Sequence, residues 1–169
     1  MKKSIWLLSL LWVLVLSWCG WSNNVEEYND AFVSIVRECT DANKALFETY
    51  QTKEVAVDVI LETLQSNIDI CNSAREKALD MWNFKWDSSL KDGVVDLLTM
   101  EVEYLQKFWS TKNYWNIDNL TDEDKVAYDW IVSDLNETQN ALNEQFVNLQ
   151  GIQEAFAAKY QLLLVSQDE

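Results

Sequence analysis

The chain contains four stretches in which apolar residues recur every three or four positions. The first is Val25, Tyr28, Phe32, Ile35, Cys39, Ala42 and Leu46. Such spacing keeps one side of a helix apolar. The second is Val57, Leu61, Leu64, Ile68, Cys71, Ala78 and Trp82, interrupted by Arg75. It does not continue the first in phase, because extension past Leu46 would carry Lys53, Thr63 and Asn67 into the seam. A turn is therefore expected near Gln51-Thr52-Lys53, with Thr52 as the candidate N-cap. The third stripe is Val95, Leu98, Val102, Leu105 and Phe108 or Trp109. The fourth runs from Tyr128 through Ile131, Leu135, Thr138, Leu142, Phe146, Leu149, Ile152, Phe156 and Tyr160 to Leu163. Thr121-Asp122-Glu123-Asp124 opens it, with Thr121 able to cap and Asp124 at the capping-box position. Acids there also suit the positive end of a helix dipole. Val55-Ala56-Val57-Asp58-Val59 alternates briefly but sits within helix-forming sequence. The expected fold is all-α, an antiparallel up-down-up-down four-helix bundle over residues 25–51, 53–82, 88–111 and 121–165. The last helix spans roughly 60 Å at 1.5 Å per residue, so it either overhangs the others or bends near Gly151.

Ahead of the first stripe the pattern changes. Met1-Lys2-Lys3 is a basic head, and Ile5 to Trp18 is apolar apart from Ser9 and Ser17. Leu16-Ser17-Trp18-Cys19 closes the run, and Gly20 to Asn24 is mostly polar. This segment resembles the signal peptide of bacterial lipoproteins, whose lipobox reads Leu, two small residues and the Cys that receives lipid. Leu16, Ser17 and Cys19 match that motif, whereas Trp18 stands where Gly, Ala or Ser is usual. The apolar run is shorter than the roughly 20 residues a membrane span needs. The resemblance implies a signal peptide at 1–18, a flexible tether at 19–24 and a bundle domain at 25–169. It further implies lipidation at Cys19 and an extracytoplasmic domain anchored to the cell membrane by lipid. Two or more acyl chains suffice for stable attachment. The resemblance covers the targeting segment alone.

Trp18 draws attention to the composition. The chain holds 9 Trp and 3 Gly, whereas glycine ordinarily makes up about 7% of a protein. Reading Trp18 as Gly completes the lipobox, and reading Trp21 as Gly gives a Gly-Gly-Ser tether. Trp82 and Trp86 fall in the loop Met81 to Ser88, where glycines would supply positive-φ turns. Trp109 and Trp115 bracket a helix end where a glycine cap is expected. Some bacterial lineages read UGA as glycine and others as tryptophan. The composition favours a gene in which most of these Trp positions are glycine. The alternative is a Trp-rich chain with an imperfect lipobox, and Trp130, inside a helical stripe, fits the glycine reading least.

Charge excludes some partners. Without Lys2 and Lys3 the mature chain carries 11 basic against 28 acidic residues, a net charge of −17. That argues against nucleic acid and against an anionic membrane surface as partners. The chemistry is sparse. The chain has no His, which removes the commonest general base, the Ser-His-Asp triad and the Glu-x-x-His motif of di-iron bundles. No P-loop, G-x-S-x-G or G-x-G-x-x-G occurs. Asp87 to Gly93 imitates a calcium loop but places Lys91 at a ligand position and its Gly one residue late. Asp118, Asp122, Glu123 and Asp124 are read as solvated capping acids rather than ligands. No cofactor, metal or catalytic residue is expected.

Cys39 and Cys71 remain as an even pair, a candidate disulfide of an exported domain. Both lie on apolar stripes, and a turn near their midpoint would bring them to one height. The other reading is two buried free thiols. Phe32, Tyr50, Phe108, Phe146, Phe156 and Tyr160 lie at helical spacing and line either the core or a pocket between helices. Arg75, in a seam, either snorkels to the edge or pairs with an acid such as Glu101 or Glu103. The expected function is non-enzymatic: an extracytoplasmic lipoprotein with an envelope structural role or an envelope protein partner. The alternative is a module binding a small solute or cation within the bundle. Nothing in the sequence specifies an oligomeric state.

Overall fold

A computed structural model of the chain describes residues 24–51, 56–115 and 120–162. It is an all-α four-helix bundle of α1 Val25–Gln51, α2 Val57–Asp80, α3 Ser89–Ser110 and α4 Asp122–Tyr160, with a 3₁₀ turn Thr111–Tyr114 following α3. Among the described residues there is no strand; the one bridge, Phe84 with Asp87, closes a turn. None of the described helices is long and apolar enough to cross a membrane.

The stripes become the core with instructive exceptions. In α1, Tyr28, Phe32, Ile35, Cys39 and Leu46 are buried. In α2, Leu64, Ile68, Cys71 and Ala78 are buried, but Val57 is half exposed and Ile60, Asn67 and Ala74 join the core instead. The α3 stripe is twice as wide as the spacing suggests. Leu90, Val94, Leu97 and Tyr104 are buried beside Leu98, Val102, Leu105 and Phe108. A helix apolar on two faces lies between neighbours rather than at an edge, and α3 packs heavily on both α2 and α4. The α4 stripe is the loosest, with Thr138, Leu142, Phe156 and Ala157 buried and Phe146 exposed. Leu163 lies outside the described residues.

Local chemistry sets the helix ends. Thr121 and Asp124 form a reciprocal capping box: the Thr121 hydroxyl accepts from the Asp124 amide at 3.1 Å, and Asp124 Oδ2 accepts from the Thr121 amide at 3.0 Å. α4 then runs unbroken through Gly151 and ends on Gln161 in the left-handed region, φ 60. Thr52 lies outside the described residues. α2 begins one residue after Ala56, an extended N-cap that makes no side-chain cap bond. At the far end of α2, Lys91 donates to the carbonyls of Leu79 and Met81, both at 2.6 Å, and so satisfies acceptors the helix leaves open.

The α2–α3 loop plugs one end of the bundle. Phe84 is buried against Tyr28, Phe156 and Tyr160, with ring centroids 5.2, 5.7 and 5.0 Å away. Burial pushes the Tyr28 phenol up to about 12, so it remains a donor, here to the Trp82 carbonyl at 2.9 Å. The segment that resembles a calcium loop has another job. Asp87 accepts from the amide and hydroxyl of Ser89 at the start of α3 and from Lys159 of α4. These hydrogen bonds hold its carboxyl well below the usual carboxylate range.

The Asp87 amide also closes a tight turn onto the Phe84 carbonyl at 2.8 Å, with positive φ at both central residues, Lys85 at 48 and Trp86 at 70. Such primed turns favour glycine, above all at the second central position. Trp86 is 98% exposed, so its indole gains no packing there. Among the described Trp positions it is the one with positive φ. The glycine caps expected at Trp109 and Trp115 are not used. α3 continues past Trp109, and Trp115 has φ −72, donates to Thr111 Oγ1 at 2.7 Å and packs on Phe108. Trp86→Gly is expected to raise stability by about 1 kcal/mol by removing left-handed strain. Urea denaturation measures this, and a variant no more stable than the parent would show the turn to be unstrained. Sequencing codon 86 is the companion check: UGA supports glycine there, and UGG removes it.

Candidate functional site

Two features stand apart from ordinary core packing: a groove on the α1–α4 seam and a polar cluster inside the α1–α2–α3 triangle. Both follow from how α4 and α1 meet α3.

α3 carries Gly93 where α4 crosses it. A Cβ at that position would lie 2.9 Å from Ile152 Cδ1 and 3.2 Å from Leu149 Cδ1, so the missing side chain lets α4 settle onto α3. Lys107 holds the other half of α4, donating to Thr138 Oγ1 at 2.7 Å and to Asp134 at 3.1 Å. Asp134 and, after it, Glu103 raise the Lys107 ammonium above its ordinary range. α1 and α4 touch firmly near one end only. There Tyr28 stacks on Phe156 at 5.7 Å and Gln153 donates to Asn29 Oδ1 at 2.8 Å. Beyond that contact the helices part and leave a groove of about 510 Å³. Phe32, Leu90, Val94 and Leu149 form its floor, Val33, Val36, Phe146 and Val147 its walls, and Arg37, Thr40, Asp41 and Gln150 its polar edge. Phe146 thus lies on the seam its spacing indicated, but it and Leu149 border this opening.

The second feature surrounds Cys39 and Cys71, which are joined with an S–S distance of 2.03 Å and a Cα separation of 4.7 Å. They tie α1 to α2 about one turn from Asn43 and Asn67. Asn67 Nδ2 donates to the Ala42 carbonyl at 2.7 Å and, at 3.4 Å, to Asn43 Oδ1. Asn43 Nδ2 in turn donates to Glu101 Oε2 of α3 at 2.7 Å. All three side chains are buried. Desolvation pushes the Glu101 carboxyl up to about 7, against the pull of the Asn43 hydrogen bond. The apolar periodicity concealed this cluster, because Asn43, Asn67 and Glu101 fall one position off the stripes. The signal available was three polar residues at the height of a cysteine pair.

Arg75 does not reach Glu101 or Glu103. It pairs with its neighbour Glu76 at 3.0 Å, while Glu101 takes Asn43 and Glu103 takes Lys107. The reason is register: the seam Arg75 flanks is closed by the small Ala74 and Ala78. Asp122, Glu123 and Asp124 sit in the first turn of α4, where Asp124 completes the cap and Asp122 pairs with Lys125. Cys19, Asp118 and the Tyr50 side chain lie outside the described residues. Among the described residues no three His, Cys, Asp or Glu side chains gather as a metal site requires. Comparison of the chain with protein-family models, with curated proteins and with solved structures finds no match.

Removing the covalent link with Cys39→Ala and Cys71→Ala frees a loop of 32 residues in the unfolded chain. It is expected to cost about 2–4 kcal/mol by loop entropy. Urea denaturation of the double variant beside the oxidised parent measures the difference; equal midpoints would mean the link adds nothing.

Proposed function

We propose that the chain is a non-enzymatic, lipid-anchored extracytoplasmic binding module that holds an elongated, mostly apolar solute in the α1–α4 groove. The groove carries this reading. Its volume of about 510 Å³ lies within the roughly 300–1,000 Å³ of small-molecule sites. Its floor offers apolar surface, worth about 25 cal/mol per Å² removed from water. Arg37, Thr40, Asp41 and Gln150 offer a short polar edge that would orient one end of a ligand. The two charges on that edge are of opposite sign, which favours a neutral or zwitterionic end over a single strong charge. The extracytoplasmic location and the lipid at Cys19 rest on the resemblance of residues 1–19 to a lipoprotein signal.

A protein partner in the cell envelope is the second reading. Val126 and Trp130 stand one turn apart at the start of α4 and are 71% and 70% exposed. Apolar side chains in that setting are surface a partner would cover.

Labelling with a fatty acid in a bacterial host tests the anchor. Wild type is expected to take up label and fractionate with membranes, and Cys19→Ala to lose both; retention of both by the variant would remove the lipoprotein reading. The groove is tested separately on the mature domain with N-phenyl-1-naphthylamine, a neutral apolar dye. Val36→Trp, which fills the groove wall, is expected to weaken dye binding at least tenfold while leaving the thermal midpoint within a few degrees. Unchanged dye binding would exclude the groove as the site. An envelope protein recovered by wild type and by Val36→Trp, but lost with Trp130→Ala, would select the second reading.

A further inference from the structure

Glu101 is a carboxyl group with no cation beside it, 5% exposed in the middle of a helical core. Isolated buried charge is costly, and an ionised carboxylate is stable there only with compensating donors. The structure supplies a single chain of them, drawn from two other helices. Asn67 of α2 donates to the α1 carbonyl of Ala42 and to Asn43, and Asn43 donates to Glu101. The titratable group that feels Glu101 is Tyr104 on the same helix, whose phenol is raised by burial and then by Glu101. From α1 and α2 the facing polar groups are the neutral amides of Asn43 and Asn67. Lys107 on α3 is committed to Glu103, Asp134 and Thr138, and the influences that act on Glu101 are burial and the Asn43 hydrogen bond.

We propose that Asn67, Asn43 and Glu101 form a pH-responsive latch that seats α1 against α2 and α3, closed while Glu101 is neutral and loosened when it is charged. Each helix supplies one member, so the chain of donors spans the three-helix junction. An ionised Glu101 gains most by reaching water, and α1 is the wall that must move to admit it, since α3 is enclosed on two sides. The Cys39–Cys71 bond, about one turn from Asn43, keeps α1 tied to α2 during that movement. Loosening is therefore local and reversible rather than global unfolding. α1 also forms one wall of the groove through Val36 and Thr40, so the same proton alters the groove.

The sign follows from the direction of the shift. The folded Glu101 titrates at about 7 against an ordinary 4.5, so the folded state binds the extra proton between those values. The latch is fully closed below the ordinary value and is lost as pH rises through about 7. Amide hydrogen exchange across α1 in the oxidised full-length mature domain is the test. After correction for intrinsic rates, opening of α1 is expected to increase roughly tenfold or more between pH 5.5 and 8.5. Glu101→Gln should remove that dependence. Asn43→Leu, which deletes the donor, should move its midpoint upward. A purely structural Glu101 would give equal pH dependence in wild type and Glu101→Gln, and that result overturns the proposal. Should the variants not fold, carboxyl-carbon NMR of wild type decides alone. A Glu101 midpoint near 7 supports the latch, and one near the ordinary glutamate value overturns it.

Discussion

α3 carries apolar side chains on two faces. Leu97, Leu98, Leu105 and Val94 are almost wholly removed from water, and α2 and α4 cover opposite sides of them. A helix of 22 residues that is apolar over so much of its circumference has no stable exposed state. The other helices are arranged to cover it, and their own requirements yield where they conflict. α4 is the clearest case. Its 39 residues present a weak apolar stripe, and Gly93 and Lys107 of α3 decide where it lies. α1 then completes the enclosure from the third side, tied to α2 by the disulfide and to α4 by the aromatic plug at one end.

This hierarchy explains which features could be read from the sequence. The four helices, their order and the capping box at Thr121 follow from periodicity and from local hydrogen bonding, both of which act within a few residues. The height match of Cys39 and Cys71 follows from hairpin geometry alone. What escaped is the central position of α3. A single stripe through Val95, Leu98 and Val102 describes one face, and Leu90, Val94, Leu97 and Tyr104 are needed to see the second. One stripe per helix allows a pocket between helices and an acid at Glu101, but it does not say which seam opens or that Glu101 is enclosed without a cation. The glycine reading of the tryptophans was likewise legible only in part. A turn's φ values depend on its closure, and closure at Phe84–Asp87 makes Trp86 the position under strain while Trp109 passes inside a helix.

The polar content of the core belongs to the same enclosure. Asn43, Asn67 and Glu101 lie where three helices converge, at a height where the disulfide already fixes α1 against α2. An apolar triad there would hold the junction more tightly, because each buried amide must find partners and the carboxyl finds one. The arrangement gives instead a junction whose strength depends on a proton. The disulfide limits what that dependence can do: it prevents the α1–α2 hairpin from separating and leaves the α1–α3 contact to respond.

The groove and the latch are then two consequences of one placement. α1 contacts α3 through Asn43 and Glu101 and through Phe47 against Tyr104 and Phe108, at 6.3 and 6.2 Å between ring centroids. It contacts α4 through Tyr28 and Asn29 at the opposite end. Between these two anchor points lies the stretch from Phe32 to Asp41, which faces the groove. On its other side that stretch is packed on α2 and tied to it by the Cys39–Cys71 bond, so its freedom lies in its approach to α4 and not in its seat on α2. A ligand seated in the groove would cover the sides of Phe146 and Val36 that face it. It would also stabilise the same seating of α1 that keeps Glu101 away from water and so favours its neutral form. Occupancy of the groove and protonation of Glu101 are in that way linked through α1, each making the other more favourable.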